Sequence, residues 1–256
     1  SSATWMRPVV GQSVPVATPD DAAAGILCLE CRSSGEMTLN LDQLNDSSRN
    51  GHNGFLDDLA DGTALSRMRL YRNGVKIDDD PFLGVDAKVP AGAANYTAIA
   101  ETNAGAAGFI LGTHLRSVYT FRSSATSGAA VPGAVICPVD DGNGCTTLPL
   151  LRIVAPLPTS GTGTTRVGAM PFSFTIMPIP GARATTVKAE VEVSFDHGKH
   201  FTAVPVTAKG HNAFTAKLVN PARSAGTTAT LRFTGRDTAG NTITETVAAA
   251  YRVASK

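Results

Sequence analysis

Four cysteines are the side chains of this chain best placed to do chemistry, and they fall in two close pairs. Cys28 and Cys31 form a C-x-x-C, and Cys145 follows Cys137 after a short loop. Four thiolates could hold zinc in a tetrahedral site, and a C-x-x-C could be a redox centre in a βαβ setting. The second spacing is too long for a zinc knuckle, and no βαβ pattern surrounds the first pair. We therefore predict two local disulfides, Cys28–Cys31 and Cys137–Cys145, with zinc as the alternative.

Carboxylates raise a second possibility, which is calcium binding. An Asp- and Asn-rich stretch between residues 42 and 61 offers many oxygen ligands, but its spacing fits no EF-hand. Asp237 is the one assured carboxylate of a later turn, whereas calcium takes about six or more oxygens. We predict no bound metal and no cofactor, and we expect the stretch 42–61 to be a solvated loop, with calcium or sugar binding as the alternative. The calcium candidates are Asp42, Asp46, Asp57, Asp58 and Asp237.

Histidines and serines supply no recognisable catalytic group. Residues 194–201 fit the Asp-box pattern S-x-D-x-G-x-x-aromatic, in which the carboxylate of Asp196 would accept backbone N–H groups in a turn. His197 and His200 then lie at a hairpin tip, where two solvated histidines are expected. No G-x-S-x-G motif exists, and His114 stands in a G-T-H segment without a partner serine or aspartate in a known context. We predict that the chain is not an enzyme.

The elements that must position these residues are strands. Apolar residues occupy every second position from Val187 to Phe195, which predicts a strand with one buried face. Several turn signals separate such strands, and helix signals are scarce. The residues that we assign to turns are Asn73, Gly74, Asp196, Gly198, Asp237, Gly240 and Asn241.

Composition limits the class of protein. The chain has 256 residues, of which 43% are hydrophobic and 17% charged, with 25 Gly and 15 Pro. A net charge of +1 does not indicate the basic surface that nucleic-acid binding requires. No apolar run approaches the ~20 residues of a membrane span. We predict an all-β protein of two consecutive β-sandwich domains. Residues 1–146 form the first, jelly-roll-like or irregular, and 147–256 form an immunoglobulin- or fibronectin type III-like sandwich of about seven strands.

A series of short segments, in this order, carries a resemblance to a known family. They are L-Y-R-N-G (70–74), V-P-A-G (89–92), A-N-Y (94–96), S-V-Y-T-F-R-S (117–123), L-P-L-L (148–151), V-E-V-S-F-D-H-G (191–198), D-T-A-G-N (237–241) and A-Y-R-V (250–253). Together they resemble the carboxy-terminal accessory region of large secreted subtilisin-family serine peptidases of actinobacteria. The resemblance covers roughly residues 35–253.

This resemblance implies β-domains appended to a protease. The chain has no G-T-S-M-A nucleophile motif, and its G-T-H segment lies within the accessory region, so no catalytic residue is carried over. We expect a secreted, extracellular, non-catalytic region that supports the stability, processing or docking of a subtilisin-like catalytic domain. Its partner is that domain or a protein substrate. The alternative is an extracellular carbohydrate- or cell-wall-binding module, suggested by the loop 42–61.

Overall fold

Nearly all the regular structure of the chain is β-strand. The computed structural model describes residues 28–41, 44–45, 53–54, 65–81, 83–125, 137, 144–179, 182 and 185–255. Within these ranges the helical segments are two short 3₁₀ turns, Ala104–Ala107 and Ala222–Ser224. The prediction of an all-β fold is confirmed.

The first part of the chain contains ten strands, which are β1 (Glu30–Arg32), β2 (Glu36–Asn40), β3 (Leu44–Asn45), β4 (Asn53–Gly54), β5 (Ser66–Arg72), β6 (Val75–Asp80), β7 (Gly84–Lys88), β8 (Ala94–Thr102), β9 (His114–Ser123) and β10 (Thr146–Thr147). One four-stranded sheet is ordered β10-β1-β2-β7, the strands β9-β8-β5-β6 form one half of a longer sheet, and β3 and β4 form a small pair. Alternation explains the packing. In β8, Tyr96, Ala98 and Ala100 are buried, while the residues between them are partly exposed. Met37 and Leu39 of β2 belong to the same core.

The second part has the strand arrangement of an immunoglobulin or fibronectin type III domain. Its strands are β11 (Leu151–Val154), β12 (Thr164–Thr165), β13 (Gly168–Pro178), β14 (Thr186–Ser194), β15 (Thr202–Val204), β16 (Val206–Gly210), β17 (Ala213–Asn220), β18 (Thr228–Asp237) and β19 (Thr242–Val253). One sheet runs β11-β13-β17-β16 and the facing strands run β15-β14-β18-β19, so the chain changes sheet around Pro205. This is the division into strands A, B, E, D and strands C′, C, F, G that defines the immunoglobulin fold. The predicted fold class of the second part is confirmed.

Aromatic side chains fill the core of the second sandwich. Phe174 lies with its ring centroid 5.4 Å from that of Phe214 and 5.5 Å from that of Phe233. The predicted inward face of β14 is present at Val191 and Val193, which are buried, and Ala189 and Phe195 pack against the core from partly buried positions.

The two sheets approach closely where β18 crosses β13. A Cβ atom on Gly235 would lie 2.6 Å from Cγ2 of Ile176, which is less than atomic contact allows. Glycine is therefore required at this position for the sheets to reach their observed separation.

One sheet continues through both parts of the chain. Strands β9 and β19 pair antiparallel over seven residue pairs, from Thr120 with Thr242 to His114 with Ala248. Tyr119 and Phe121 of β9 and Ile243 and Val247 of β19 belong to a single hydrophobic core. The division at residues 146/147 stays a prediction, but it falls inside β10 and crosses a continuous sheet.

Candidate functional site

The four cysteines gather in one place. Both predicted disulfides are present, with Cα–Cα distances of 5.7 Å for Cys28–Cys31 and 5.6 Å for Cys137–Cys145. The Sγ atoms of Cys28, Cys31 and Cys145 all lie within 4.8 Å of one another, and Cys137 packs against them. Strand pairing is the cause, because β1 and β10 are neighbours and Cys31 lies opposite Thr147. No local sequence signal indicated that the two pairs would meet.

The hairpin signal at Asn73-Gly74 gives the connection between β5 and β6. Both residues have positive φ, 49° and 81°, as a two-residue type I′ turn requires. The side-chain oxygen of Asn73 also accepts a hydrogen bond from the Asn95 backbone N–H at 3.1 Å. The turn is therefore joined to β8 and acts as a structural element.

The Asp-box residues hold their own turn together. The Ser194 hydroxyl donates to Asp196 Oδ1 at 2.6 Å and accepts the Gly198 N–H at 2.9 Å. Asp196 also accepts the backbone N–H and the ring N–H of His200, at 3.0 and 2.6 Å. The Ser194 hydroxyl and then His200 hold the pKa of Asp196 well below its usual value. His197 is exposed, so this motif presents a folded turn to solvent.

Both carboxylate oxygens of Asp237 accept hydrogen bonds within their own turn. Its Oδ1 accepts the N–H groups of Ala239 and Asn241 at 2.9 and 2.8 Å, and its Oδ2 accepts the Asn241 side-chain N–H at 2.7 Å. Gly240 completes the turn at φ 89°. The Asn241 side-chain oxygen then accepts the Arg122 backbone N–H at 3.3 Å, which ties the turn to β9. The other four calcium candidates, Asp42, Asp46, Asp57 and Asp58, lie outside the described residues.

We predict that Asp237→Ala lowers the free energy of unfolding by about 2–3 kcal/mol, because two buried N–H groups lose a charged acceptor. Chemical denaturation measures this loss. Asp86→Ala, the same change at an exposed position of β7, is the control and should have little effect. Calcium should leave the melting temperature of the parent unchanged. A rise with calcium in the parent but not in Asp237→Ala would show that this carboxylate is a ligand.

A polar cleft of about 360 Å³ opens where β5, β8 and β9 lie side by side. Six of its eight lining residues are polar or charged, and its concave shape makes it a candidate binding site within the described part of the chain. The lining residues are Leu65, Ser66, Arg67, Asp79, Pro81, Glu101, Asn103 and His114.

The carboxylates of this cleft are held by cations. Arg67 donates to both oxygens of Asp79, at 2.6 and 2.8 Å, and Lys76 lies 2.5 Å from the same group. These partners hold the pKa of Asp79 far below its usual value. Glu101 pairs with Arg69 and, at 3.1 Å, with Arg116. A lowered pKa makes Asp79 a weak base, poorly suited to accept a proton near neutral pH.

His114 has no catalytic partner in this cleft. Burial, together with the charge of Arg116, lowers the pKa of His114 below its usual value, so the ring is neutral near pH 7. The Ser66 hydroxyl lies 3.1 Å from that of Thr102, and no hydrogen bond joins His114 to a hydroxyl in the described ranges. The arrangement can bind a polar ligand, but it lacks the nucleophile and base pair of acyl transfer.

Strand β6 is a free edge beside this cleft. It ends the long sheet and pairs with β5 alone among the described strands. Val75 and Ile77 are 66% and 37% exposed, although both are apolar. A sheet edge with exposed apolar side chains is a place where another extended chain can pair. The sequence indicated the hairpin but not that its second strand would be an edge.

Comparisons with known proteins give little beyond the architecture already described. No known family matches the chain, and no curated protein matches it. Among solved structures, the fibronectin(III)-like modules of Clostridium thermocellum CbhA align with 95% of this chain and 94% of theirs, at 10% identity and a TM-score of 0.28. That score is too low to support an argument. No helix in the described ranges is long and apolar enough to cross a membrane.

Proposed function

We propose that this chain is a non-catalytic accessory region of a secreted subtilisin-like serine protease. The observation that carries the proposal is the state of the polar cleft, whose carboxylates are paired with cations and whose histidine lacks a hydroxyl partner. A β-sandwich whose described cleft offers no nucleophile paired with a base is suited to support another domain. The order of sequence segments that resembles the accessory regions of such proteases points to the catalytic domain as that partner.

Secretion is part of the same proposal. Two disulfides persist in oxidising surroundings, which favours an exported protein over a cytosolic one. A region attached to an extracellular protease is itself exposed to proteolysis. An all-β structure whose turns are held by hydrogen bonds and disulfides suits that environment.

Edge strand β6 is the surface that we assign to docking. Val75 and Ile77 offer apolar contact area on a strand that pairs with β5 alone among the described strands, so an extended partner chain could add to this edge of the sheet. Lys76 and Asp79 bind each other, and Asp79 also binds Arg67, so the charge of Asp79 is compensated, while Asp78 and Asp80 make the far end of the strand acidic. The occupant would be an extended segment of the catalytic domain or of its protein substrate.

The carbohydrate-binding alternative has less support from the described residues. Sugar-binding surfaces commonly present flat aromatic rings, whereas the large hydrophobic side chains exposed in the described ranges are aliphatic. They are Val75, Ile77, Ile110, Val154 and Val219. The loop 42–61 that suggested this alternative contributes only the backbone of β3 and β4 to the description.

Activity and binding assays test the proposal together. The purified chain should not react with a fluorophosphonate probe and should not cleave casein. It should bind a subtilisin-type catalytic domain added in trans, measured by calorimetry. Changing Val75 and Ile77 together to lysine should weaken this binding at least about tenfold, because apolar contact area is lost at the edge. Val219→Lys, on β17, is the matched control and should leave binding unchanged.

Three results would contradict the proposal. Labelling of a single serine, with cleavage lost when that serine becomes alanine, would make the chain an enzyme. No binding to the catalytic domain, together with binding to insoluble peptidoglycan or polysaccharide, would favour the carbohydrate module. If the substitutions in β6 leave the affinity for the catalytic domain unchanged, the docking surface lies outside β6.

A further inference from the structure

The cysteine cluster is more compact than two separate disulfides require. Cys28, Cys31 and Cys145 come from two segments that are distant in sequence, and all three are buried. Their Sγ atoms lie within 4.8 Å of one another. Cys137 is half-buried, bonded to Cys145 and packed against the other three. All four cysteine sulfurs of the chain therefore occupy one site.

This spacing is close to that of a tetrathiolate metal site. Four sulfurs at about 2.3 Å from a tetrahedral zinc ion lie about 3.8 Å apart. The Sγ atom of Cys145 lies within 4.8 Å of those of Cys28 and Cys31, and reduction of the two disulfides would let each bonded pair of sulfurs move apart by under about 2 Å. The ladder that pairs Cys31 with Thr147 and Arg32 with Thr146 holds the two backbones in place.

We propose that the reduced chain binds one zinc ion through Cys28, Cys31, Cys137 and Cys145. The four sulfurs have the softness that zinc accepts, and the described ranges bring no histidine or carboxylate into this group. The sequence favours disulfides over zinc because the spacing between Cys137 and Cys145 is longer than the spacing of the two cysteines in a zinc knuckle. The structure removes that objection, because strand pairing rather than a knuckle places Cys145 beside the C-x-x-C.

Reduction must precede metal binding, and a dithiol reductant can supply it. Each disulfide takes up two electrons and two protons, and each reductant molecule closes into its own cyclic disulfide. Attack begins at Cys137, the most accessible of the four sulfurs, and Cys145 leaves as a thiolate. Zinc then replaces the remaining thiol protons, which pass to solvent. The disulfides and the metal use the same four side chains, but the disulfides are local to each segment, whereas the metal would join the Cys28–Cys31 segment to the Cys137–Cys145 segment.

Cobalt provides the direct test, because tetrahedral cobalt thiolates absorb visible light and zinc replaces cobalt without absorbing. The full chain is reduced with a dithiol under argon, freed of reductant and titrated with Co²⁺. We expect the tetrathiolate spectrum to saturate at one equivalent and to vanish when zinc is added. Zinc should also raise the melting temperature of the reduced chain, and it should not affect the oxidised chain.

Variants separate this site from other metal-binding groups. Cys145→Ser should lose the tetrathiolate spectrum. Cys137→Ser, which changes the half-buried ligand, should lose it as well. The double change of His197 and His200 to alanine should keep it. The proposal fails if the reduced parent gives no such spectrum, or if the spectrum survives in Cys145→Ser. It also fails if reduction unfolds the chain, as seen by circular dichroism, and zinc does not restore the fold.

Discussion

Val191→Asp is expected to lower the free energy of unfolding by about 4 kcal/mol or more. Val191 is 1% exposed in the centre of β14, opposite Phe233 of β18 and Val204 of β15. The substitution removes apolar burial and places a carboxyl group where no donor faces it. Denaturant titration, followed by far-ultraviolet circular dichroism, measures the loss.

The acidity of the introduced carboxyl group adds a second signature. Burial favours the neutral form, so the pKa of this group in the folded variant lies above its unfolded value of about 3.9. The folded state then binds more protons than the unfolded state between these two values. Stability of the variant must therefore fall as pH rises above about 4, beyond any trend in the parent. A flat pH profile would mean that the carboxyl group reaches water.

The neighbouring position supplies the matched control. Glu190 points to the other face of β14 and pairs with Lys188 through exposed side chains. Glu190→Val makes the reverse exchange of charge for hydrocarbon and should change stability by less than about 1 kcal/mol. If both variants melt like the parent, the register of β14 is wrong.

Local patterns predicted the strands and turns well, for a physical reason. Alternation along 187–195 reports which face is buried, since neighbouring side chains point to opposite sides of a sheet. Asn73-Gly74 predicts its turn because both residues tolerate positive φ, and Asp237 and Asn241 predict theirs through short side chains that reach backbone N–H groups. These features depend on residues within a few positions, so the sequence displays them directly.

The sequence does not show which distant strands pair with each other. The seam joins Tyr119 to Ile243 and Leu115 to Val247, residues more than a hundred positions apart. Neither strand carries a sequence signal that identifies its partner. An alternating strand with one buried face can pair with any strand whose apolar residues face the same side of the sheet. The same limit applies to the cysteines, whose meeting depends on β1 lying beside β10. The candidate cleft is also assembled from separate strands, and His114 is the one lining residue that the sequence singles out as a candidate for chemistry.

A buried polar contact marks the seam between the two parts. The side chains of Ser117 and Glu245 are buried on β9 and β19, and the hydroxyl donates to the carboxylate at 3.4 Å. Burial as the larger cause, together with Glu245 and Glu30, raises the pKa of Tyr119 well above its usual value. Buried polar groups are costly unless their partners stay in place, so the seam favours a single alignment of the two strands.

Thr244→Pro is expected to destabilise both parts of the chain together, by about 3 kcal/mol or more. Thr244 lies in the middle of β19, opposite Val118 of β9 and Thr234 of β18. In a strand paired on both sides, each backbone N–H donates a hydrogen bond to a neighbouring strand. Proline has no backbone N–H, so the substitution removes one of these hydrogen bonds. Because β19 belongs to both sandwiches and the core is continuous, calorimetry should show one unfolding transition, shifted to lower temperature in the variant. Lys209→Pro, at the bulge of edge strand β16, is the control and should shift it less.

Hydrogen exchange shows whether the parts really unfold as one unit. In the parent, amides of β8 and of β18 should exchange with the same free energy of opening, and Thr244→Pro should lower both equally. Cooperative behaviour follows when neither part can expose the seam without leaving a central strand unpaired and Val247 and Ile243 open to water. Two resolved transitions, with only the second part affected by the proline, would instead make the division at residues 146/147 an energetic boundary. The seam would then be a contact between two domains that fold independently.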